Sequence, residues 1–327
     1  MSDSTFRDSG PLLSTEAKEV VFERLRTGSL GWTVTDDRID AKLALMAVHA
    51  HPDDEASKGA ATLAKYADEG VRTIVVTCTG GERGEVLNEA LREELSGAEI
   101  AEVRRAEMHE AARALKLTRH YWLGFEDSGM SGNNAALPDG CFASVPLQEP
   151  VRRLVELIRL ERPQVLITYD EMGGYPHPDH IRTHQVSIEA AKAASDPGLW
   201  PELGKPHSVA KIYYHVTFSR RRLEKLHSLL VQRGLDSPFK RILESRASWP
   251  EKEVTTKIFV VPWLDARRKA LMAHRSQIAE DSFFLALPDE VFAEHFPYDE
   301  YHLARASSEV EVELPETDLF ANIAAIS

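Results

Sequence analysis

Two short clusters in this chain combine imidazoles and carboxylates at spacings that suit a metal ion. The first is His51-Pro52-Asp53-Asp54-Glu55 and the second is Tyr175-Pro176-His177-Pro178-Asp179-His180. A His and two carboxylates so close together cannot all be buried without a counter-charge, and a cation is the simplest one. A turn broken by Pro52 presents His51 and Asp54 together as ligands and leaves Asp53 free to take a proton from water as general base. In the second cluster, His177 and His180 stand three apart at a helix start, where such residues lie near one another. His180 is expected to supply the third ligand. His177 is then the electrostatic or general-acid partner facing the substrate. Asp179 either orients a ligating ring or caps the helix. His184 forms His-Xaa-Xaa-Xaa-His with His180, but Ile181 stands where a zincin helix needs its glutamate, so His184 reads as a supporting or packing residue. His49 reads as a hydrogen-bonded core residue.

A His-Asp-His set with an open position suits Zn²⁺ activating water, and equally the facial triad of Fe(II) oxygenases. Those oxygenases usually sit on an antiparallel β fold, whereas this chain alternates strand with helix. A metal-binding or thiol-conjugate sensor without turnover is a further alternative. It has no use for a base at Asp53.

The elements that must position these residues follow from the hydrophobic pattern. Leu43–Val48 is a short apolar run of strand length, and Ala60, Leu63, Ala64 and Ala67 recur at helical spacing until Gly70. Strands are expected at 71–77, 120–123 and 164–169, with helices at about 96–116, 149–160 and 179–194. The fold class is therefore α/β, a Rossmann-like, mostly parallel sheet with helices on both faces. A strand order 3-2-1-4 makes the first and fourth strands neighbours, and their carboxyl ends flank the crevice where ligands bind. That order brings His51 and His180 together. Beyond Pro206 the rhythm changes to strands at 209–217 and 254–261 and helices at 222–231 and 265–278, a smaller α+β extension walling the pocket. The reading divides the chain into 1–41, an N-terminal extension with one helix candidate at 14–26; 42–205, the catalytic core; and 206–327, the extension that completes core and pocket.

Two further positions stand out. The loop Gly80-Gly81-Glu82-Arg83-Gly84 has the wrong spacing for a dinucleotide fingerprint and follows the second strand, so it reads as a substrate-binding loop with Glu82 at a strand's carboxyl end. Arg104 falls on the apolar stripe of Ile100, Met108, Ala111 and Leu115, where a buried arginine must find a partner, either a substrate group or an internal carboxylate. Arg105 falls off that stripe.

The bulk composition fits an enzyme of small molecules. Acidic residues outnumber basic ones, 52 against 39, for a net charge of −13. That balance disfavours a nucleic-acid partner, and the lone basic run, Arg220-Arg221-Arg222, reads as a solvated helix face. No apolar stretch approaches the roughly 20 residues of a membrane span. With two cysteines and no signal-type apolar segment at its start, the chain is expected in the cytoplasm.

At His51-Pro-Asp-Asp54-Glu55 and His177-Pro-Asp-His180 the chain resembles the PIG-L/LmbE-type zinc de-N-acetylase family. Ser57-Lys58-Gly59-Ala60-Ala61, Val76–Gly84, Trp122–Phe125, Asp127-Ser128-Gly129 and Leu137–Phe142 extend the resemblance to the branch of that family acting on mycothiol conjugates. The similarity runs from about Leu43 to Phe320. It implies zinc-dependent hydrolysis of the amide between the glucosaminyl-inositol and S-substituted N-acetylcysteine parts of a small-molecule thiol conjugate, a detoxification step. The sister activity, deacetylation of N-acetylglucosaminyl-inositol, is the alternative. By resemblance His51, Asp54 and His180 hold Zn²⁺ (Fe²⁺ being the alternative in the cell), Asp53 is the base, and His177, with Tyr175 beside it, stabilises the oxyanion, if protonated, or protonates the leaving amine. Arg104 and Asp127 match sugar- or inositol-contacting positions, and Lys58 matches the amidase pattern where the deacetylase differs. The chain departs from that pattern in its N-terminal extension, which leaves assembly, including an oligomer, open. It departs also at Ala56, where serine is expected.

Overall fold

In a computed structural model, residues 23–35, 38–96, 99–130, 136–245, 251–279 and 281–323 are described. The strands are β1 (Glu23–Arg24), β2 (Leu30–Thr33), β3 (Ala44–His49), β4 (Arg72–Thr79), β5 (Arg119–Phe125), β6 (Val165–Thr168), β7 (Lys211–His215), β8 (Thr256–Phe259) and β9 (Tyr298–Ala306). They form one sheet in the order β1-β2-β5-β4-β3-β6-β7-β9-β8. The central run β5-β4-β3-β6-β7 is parallel, while β2 pairs antiparallel with β5 and β9 with β7. The expected neighbours at the switch point, β3 and β6, are therefore adjacent.

The helices are α1 (Asp54–Ser57), α2 (Ala60–Asp68), α3 (Ile100–Ala114), α4 (Gln148–Glu161), α5 (Pro178–Ala194), α6 (Arg220–Gln232), α7 (Phe239–Ser245), α8 (Leu264–Ala273) and α9 (Asp289–His295). Period-two alternation divides the side chains of β3 between the two faces. Leu45 and Ala47 pack with Leu63 and Ala64 of α2, Met108 and Ala111 of α3, and Leu271 of α8. Ala44, Met46 and Val48 pack on the other face with Leu154 and Val155 of α4 and Val186 and Ala190 of α5. All six residues of β3 are buried, as expected of a central parallel strand covered on both sides.

The N-terminal part differs from the sequence reading. Residues 14–22 of the expected helix lie outside the described residues, but Glu23–Arg24 is strand, hydrogen-bonded to Leu30–Gly31. Thr27-Gly28 makes the turn, with Gly28 at φ 93°, so the glycine expected to end a helix instead closes a hairpin. The buried Trp32 of β2 stacks on His109 and donates Nε1–H to His120, which ties this segment to the sheet.

Candidate metal centre

β3 ends at His49, and the chain turns at once through Ala50–Asp53 into the short α1. Asp53 holds this turn at φ 101°, a left-handed conformation costing a non-glycine residue about 1–3 kcal/mol. It leaves His51 and Asp54 on the same side, with His51 Nδ1 3.5 Å from Asp54 Oδ2, as the Pro-broken turn requires. From the neighbouring strand, the loop after β6 brings His180 into place on the first turn of α5. Its Nε2 lies 3.3 Å from the same Asp54 Oδ2. One ligand atom from each of His51, Asp54 and His180 falls within 4.8 Å of the others, and all three side chains are buried.

The hydrogen-bond pattern tests whether a cation fits. His180 Nδ1 is 3.0 Å from the Gly173 carbonyl, an acceptor, so Nδ1 must carry the proton and Nε2 presents a bare lone pair. That buried Nε2 has no hydrogen-bond partner among the described residues and faces a carboxylate oxygen. Two acceptors confronting each other in the interior repel unless something positive lies between them. Gly173, at φ 72°, is needed here because a Cβ would lie 2.6 Å from His180 Cβ. On His51, Nε2 lies 3.2 Å from Asp179 Oδ2 and 3.6 Å from Asp127 Oδ1, which fixes a proton on Nε2 and turns Nδ1 toward Asp54. Burial alone would lower the His51 pKa, but the carboxylates of Asp127, Asp179 and Asp54 raise it well above its usual value. The site attracts positive charge, and its donor set suits a divalent ion.

A second group, His51, Asp127, His177 and Asp179, also clusters within 4.8 Å. Its carboxylates are already engaged: Asp179 accepts from Ser128 N–H at 2.9 Å and Asp127 from Gly129 N–H at 2.8 Å. They orient His51. Asp179 does not cap α5, since the N-cap is His177, whose Nδ1 accepts the Asp179 N–H at 3.1 Å. The orienting alternative is the one the geometry takes.

That cap also changes the expected character of His177. Burial, then the charges of His51 and His180, push its pKa down to about 3. With Nδ1 accepting, the neutral ring offers Nε2–H as a donor. In that state the ring is a hydrogen-bond dipole and carries no charge. Tyr175 stands edge-on to His177 and over His180, with ring centres 6.2 and 4.4 Å away.

Around Asp53 the supports are several. Arg104 lies where the stripe placed it, 4% exposed, and donates to the Pro52 carbonyl at 2.6 Å, the Gly81 carbonyl at 2.8 Å and Asp53 Oδ2 at 3.1 Å. Of the two alternatives for Arg104, the internal carboxylate is the partner present. Burial raises the Asp53 pKa, with Arg104 opposing it, and the result is a net rise. Gly81, at φ 65°, admits the guanidinium, because a Cβ there would lie 2.2 Å from Nη1. Lys58 donates to Asp54 Oδ1 at 2.5 Å and is 4% exposed. Glu82 accepts from Asp127 N–H at 2.7 Å, linking the glycine loop to the end of β5.

Several contacts around the site had no sequence signal. Glu55 is fully buried, accepts the Asp53 N–H at 3.0 Å and pairs with His274 Nε2 at 2.6 Å. His274 follows α8 at its C-terminal end, and nothing in its spacing marked it. Glu107 anchors the same turn by accepting from Ser276 N–H and Oγ at 2.6 and 2.7 Å. Tyr169, just past β6, stacks on His180 at 4.4 Å and accepts the Ala50 N–H at 3.1 Å. His184 and His49 behave as expected: His184 Nδ1 is 3.0 Å from the Tyr169 carbonyl and His49 Nδ1 is 3.3 Å from Tyr169 Oη.

With this geometry in hand, comparison with known proteins is informative. A family model described as PIG-L, GlcNAc-PI de-N-acetylase, matches residues 46–191, a span that holds both histidine clusters. Mycothiol S-conjugate amidase of Streptomyces coelicolor is 47% identical over 289 residues, 86% of this chain and 98% of that protein. The 1D-myo-inositol 2-acetamido-2-deoxy-alpha-D-glucopyranoside deacetylase of Thermomonospora curvata is 39% identical over 275 residues, 81% of this chain and 91% of that protein. Among solved structures, N,N'-diacetylchitobiose deacetylase from Pyrococcus horikoshii superposes with a TM-score of 0.53 at 20% identity, covering 82% of this chain and 86% of that one. GalB, the 4-carboxy-2-hydroxymuconate hydratase from Pseudomonas putida KT2440, does so at 0.52 and 16%, covering 83% and 98%. These two share the fold and are named for different reactions, so the fold alone does not fix the chemistry and the side chains do.

Proposed function

We propose, from the premise that the chain belongs to the PIG-L family of de-N-acetylases, that it hydrolyses the amide of mycothiol S-conjugates. The products are a mercapturic-acid-type conjugate and glucosaminyl-inositol. It is a hydrolase acting on C–N amide bonds, and 42–205 is the unit carrying the chemistry, with 206–327 completing the pocket. The observation that carries this reading is the buried, partnerless His180 Nε2 facing Asp54, in a chain 47% identical to the Streptomyces coelicolor amidase.

His51 Nδ1, Asp54 Oδ2 and His180 Nε2 would hold a divalent ion, Zn²⁺ by the chemistry of two imidazoles and one carboxylate, with Fe²⁺ able to replace it. Such an ion, when bound, polarises the amide carbonyl and acidifies water. Asp53 accepts the proton of the attacking water. Its raised pKa makes it a stronger base than an ordinary aspartate, and Arg104 and the Glu55 contact to its N–H fix its position. His177 donates Nε2–H to the developing oxyanion. Asp53, once protonated, returns the proton to the departing amine. Tyr175 walls the reacting carbonyl, Lys58 faces the acyl part, and Glu82, Arg104 and Asp127 lie on the side we assign to the sugar. Asp127 and Arg104 act there chiefly by holding His51 and Asp53.

The test is amine release by the zinc-loaded protein from a mycothiol S-conjugate and from N-acetylglucosaminyl-inositol in parallel. A kcat/KM at least tenfold higher for the conjugate supports the amidase. Preference for the acetylated sugar makes the protein the biosynthetic deacetylase and leaves the side-chain roles standing.

A further inference from the structure

A cavity lies beside this centre, where the loops after β6 and β7 meet α6 and α7. One part of its wall is apolar, formed by Met172, Val216, Phe218, Leu223 and Leu243. Lys58 joins it to the reacting centre, with Nζ 2.5 Å from Asp54 Oδ1 and 5.5 Å from the centre of the Phe218 ring. The same ammonium lies 5.9 Å from the ring centres of Tyr169 and Tyr175. The cavity wall therefore begins one side chain away from the candidate metal ligands.

Most charged groups lining the cavity are already engaged elsewhere. Asp170 accepts the N–H groups of Met172 and Gly174 at 3.0 and 2.8 Å. Glu251 accepts the Arg220 N–H at 2.6 Å, and Lys252 pairs with Glu171 at 2.6 Å. A charged ligand group entering here would lose water and find the cations Arg220 and Lys252 already paired with Glu224 and Glu171, while an apolar one gains about 25 cal/mol for each Å² removed from water. Arg220 and Lys252 balance Asp170 and Glu251 on the lining, so the wall carries no net charge that would draw in an anion. One buried polar atom on the lining lacks a partner among the described residues, His215 Nε2.

We propose that this cavity is the subsite for the sulfur substituent, and that it selects apolar, aromatic or branched alkyl groups over carboxylated ones. The proposal rests on the amidase reading. A cysteinyl sulfur stands three bonds from its own amide carbonyl carbon, so a carbonyl held beside Asp53 and His177 carries the sulfur past Lys58 toward Phe218. His215 is the group placed to hydrogen-bond the acetamido of the same cysteine.

Steady-state kinetics on S-methyl, S-benzyl and S-carboxymethyl mycothiol test this with the zinc-loaded, full-length protein. The expected order of kcat/KM is benzyl, then methyl, then carboxymethyl, with benzyl at least tenfold above carboxymethyl. Phe218→Ser and Met172→Glu are then compared with the wild type; Met172 is on an exposed loop, 39% accessible, so its variant keeps the fold. Either variant is expected to lower the benzyl-to-methyl ratio about tenfold, acting mainly through KM. Equal rates on the three conjugates, or equal losses on benzyl and methyl in both variants, overturn the subsite and leave the amidase intact. Failure to cleave any conjugate, with N-acetylglucosaminyl-inositol turned over, overturns both.

Discussion

Asp54 and Glu55 are consecutive, both fully buried, and each faces an imidazole, yet the two pairs are built in opposite ways. Glu55 and His274 approach to 2.6 Å, each side chain facing its counter-charge. Burial opposes ionisation of both, but their mutual attraction prevails, so Glu55 is lowered and His274 raised from their usual values. Asp54 and His180 stand 3.3 Å apart, and the Gly173 carbonyl has already taken the only proton of the neutral ring. Burial, then Lys58, lowers the His180 pKa beyond what Asp54 restores, despite that carboxylate beside it. The first pair is complete in itself. The second is complete only with a cation. One carbonyl oxygen, by choosing the tautomer, separates a structural ion pair from a metal-binding one.

The comparison breaks most sharply at His180. His180→Ala is expected to abolish turnover and tight metal binding together, read by metal analysis after gel filtration. Added Zn²⁺ at about a hundred times its Kd stabilises the wild type by about 2.7 kcal/mol in a thermal melt and this variant hardly at all. Asp53→Ala should keep the metal and lose about 10²- to 10⁴-fold in kcat, the usual contribution of a general base. Loss of the metal from that variant would show that Asp53 is a ligand.

Glu55→Ala should leave metal binding and cost about 3–5 kcal/mol of stability, since it strands a buried imidazolium. Glu55→Gln costs less, and its effect carries a pH signature. The His274 contribution is fully present below its unfolded value of about 6.5 and is lost as pH rises through its raised folded value. The Glu55 contribution is present above its unfolded value of about 4.3 and is lost as pH falls through its lowered folded value. The melting-temperature gap between wild type and Glu55→Gln should therefore be widest between about pH 4.5 and 6.5 and narrow on both sides. A pH-independent gap would count against the ion pair. The smallest effect is expected at Arg105→Ala, whose exposed pair with Glu102 contributes about 0–1 kcal/mol, in contrast to Arg104 one residue earlier.

The local elements and the two clusters that meet at the candidate site were legible because each is written in contiguous residues. Leu43–Val48 reads as a buried strand, and β3 falls one residue later; His51, Asp54 and His180 sit at strand ends or helix starts marked by Pro52, Pro176 and Pro178. Arg104 was found by helical phase alone. Glu55 read as a carboxylate at a helix N-terminus, which is what α1 makes it, but its partner lies 219 residues away and was out of reach. The hairpin of β1 and β2 was missed because helical spacing in a polar segment competes with pairing to β5, a contact no local pattern announces.

By itself the sequence determined the strand–helix alternation, the switch point and the residue types gathered there, since periodicity and chain order suffice for these. Only the tertiary structure decided which acceptors face the rings of His51, His177 and His180, that Asp179 orients His51, and that His274 stands behind Asp53 through Glu55. Those depend on which carbonyl or carboxylate meets each ring, and such meetings exist only once distant segments have packed.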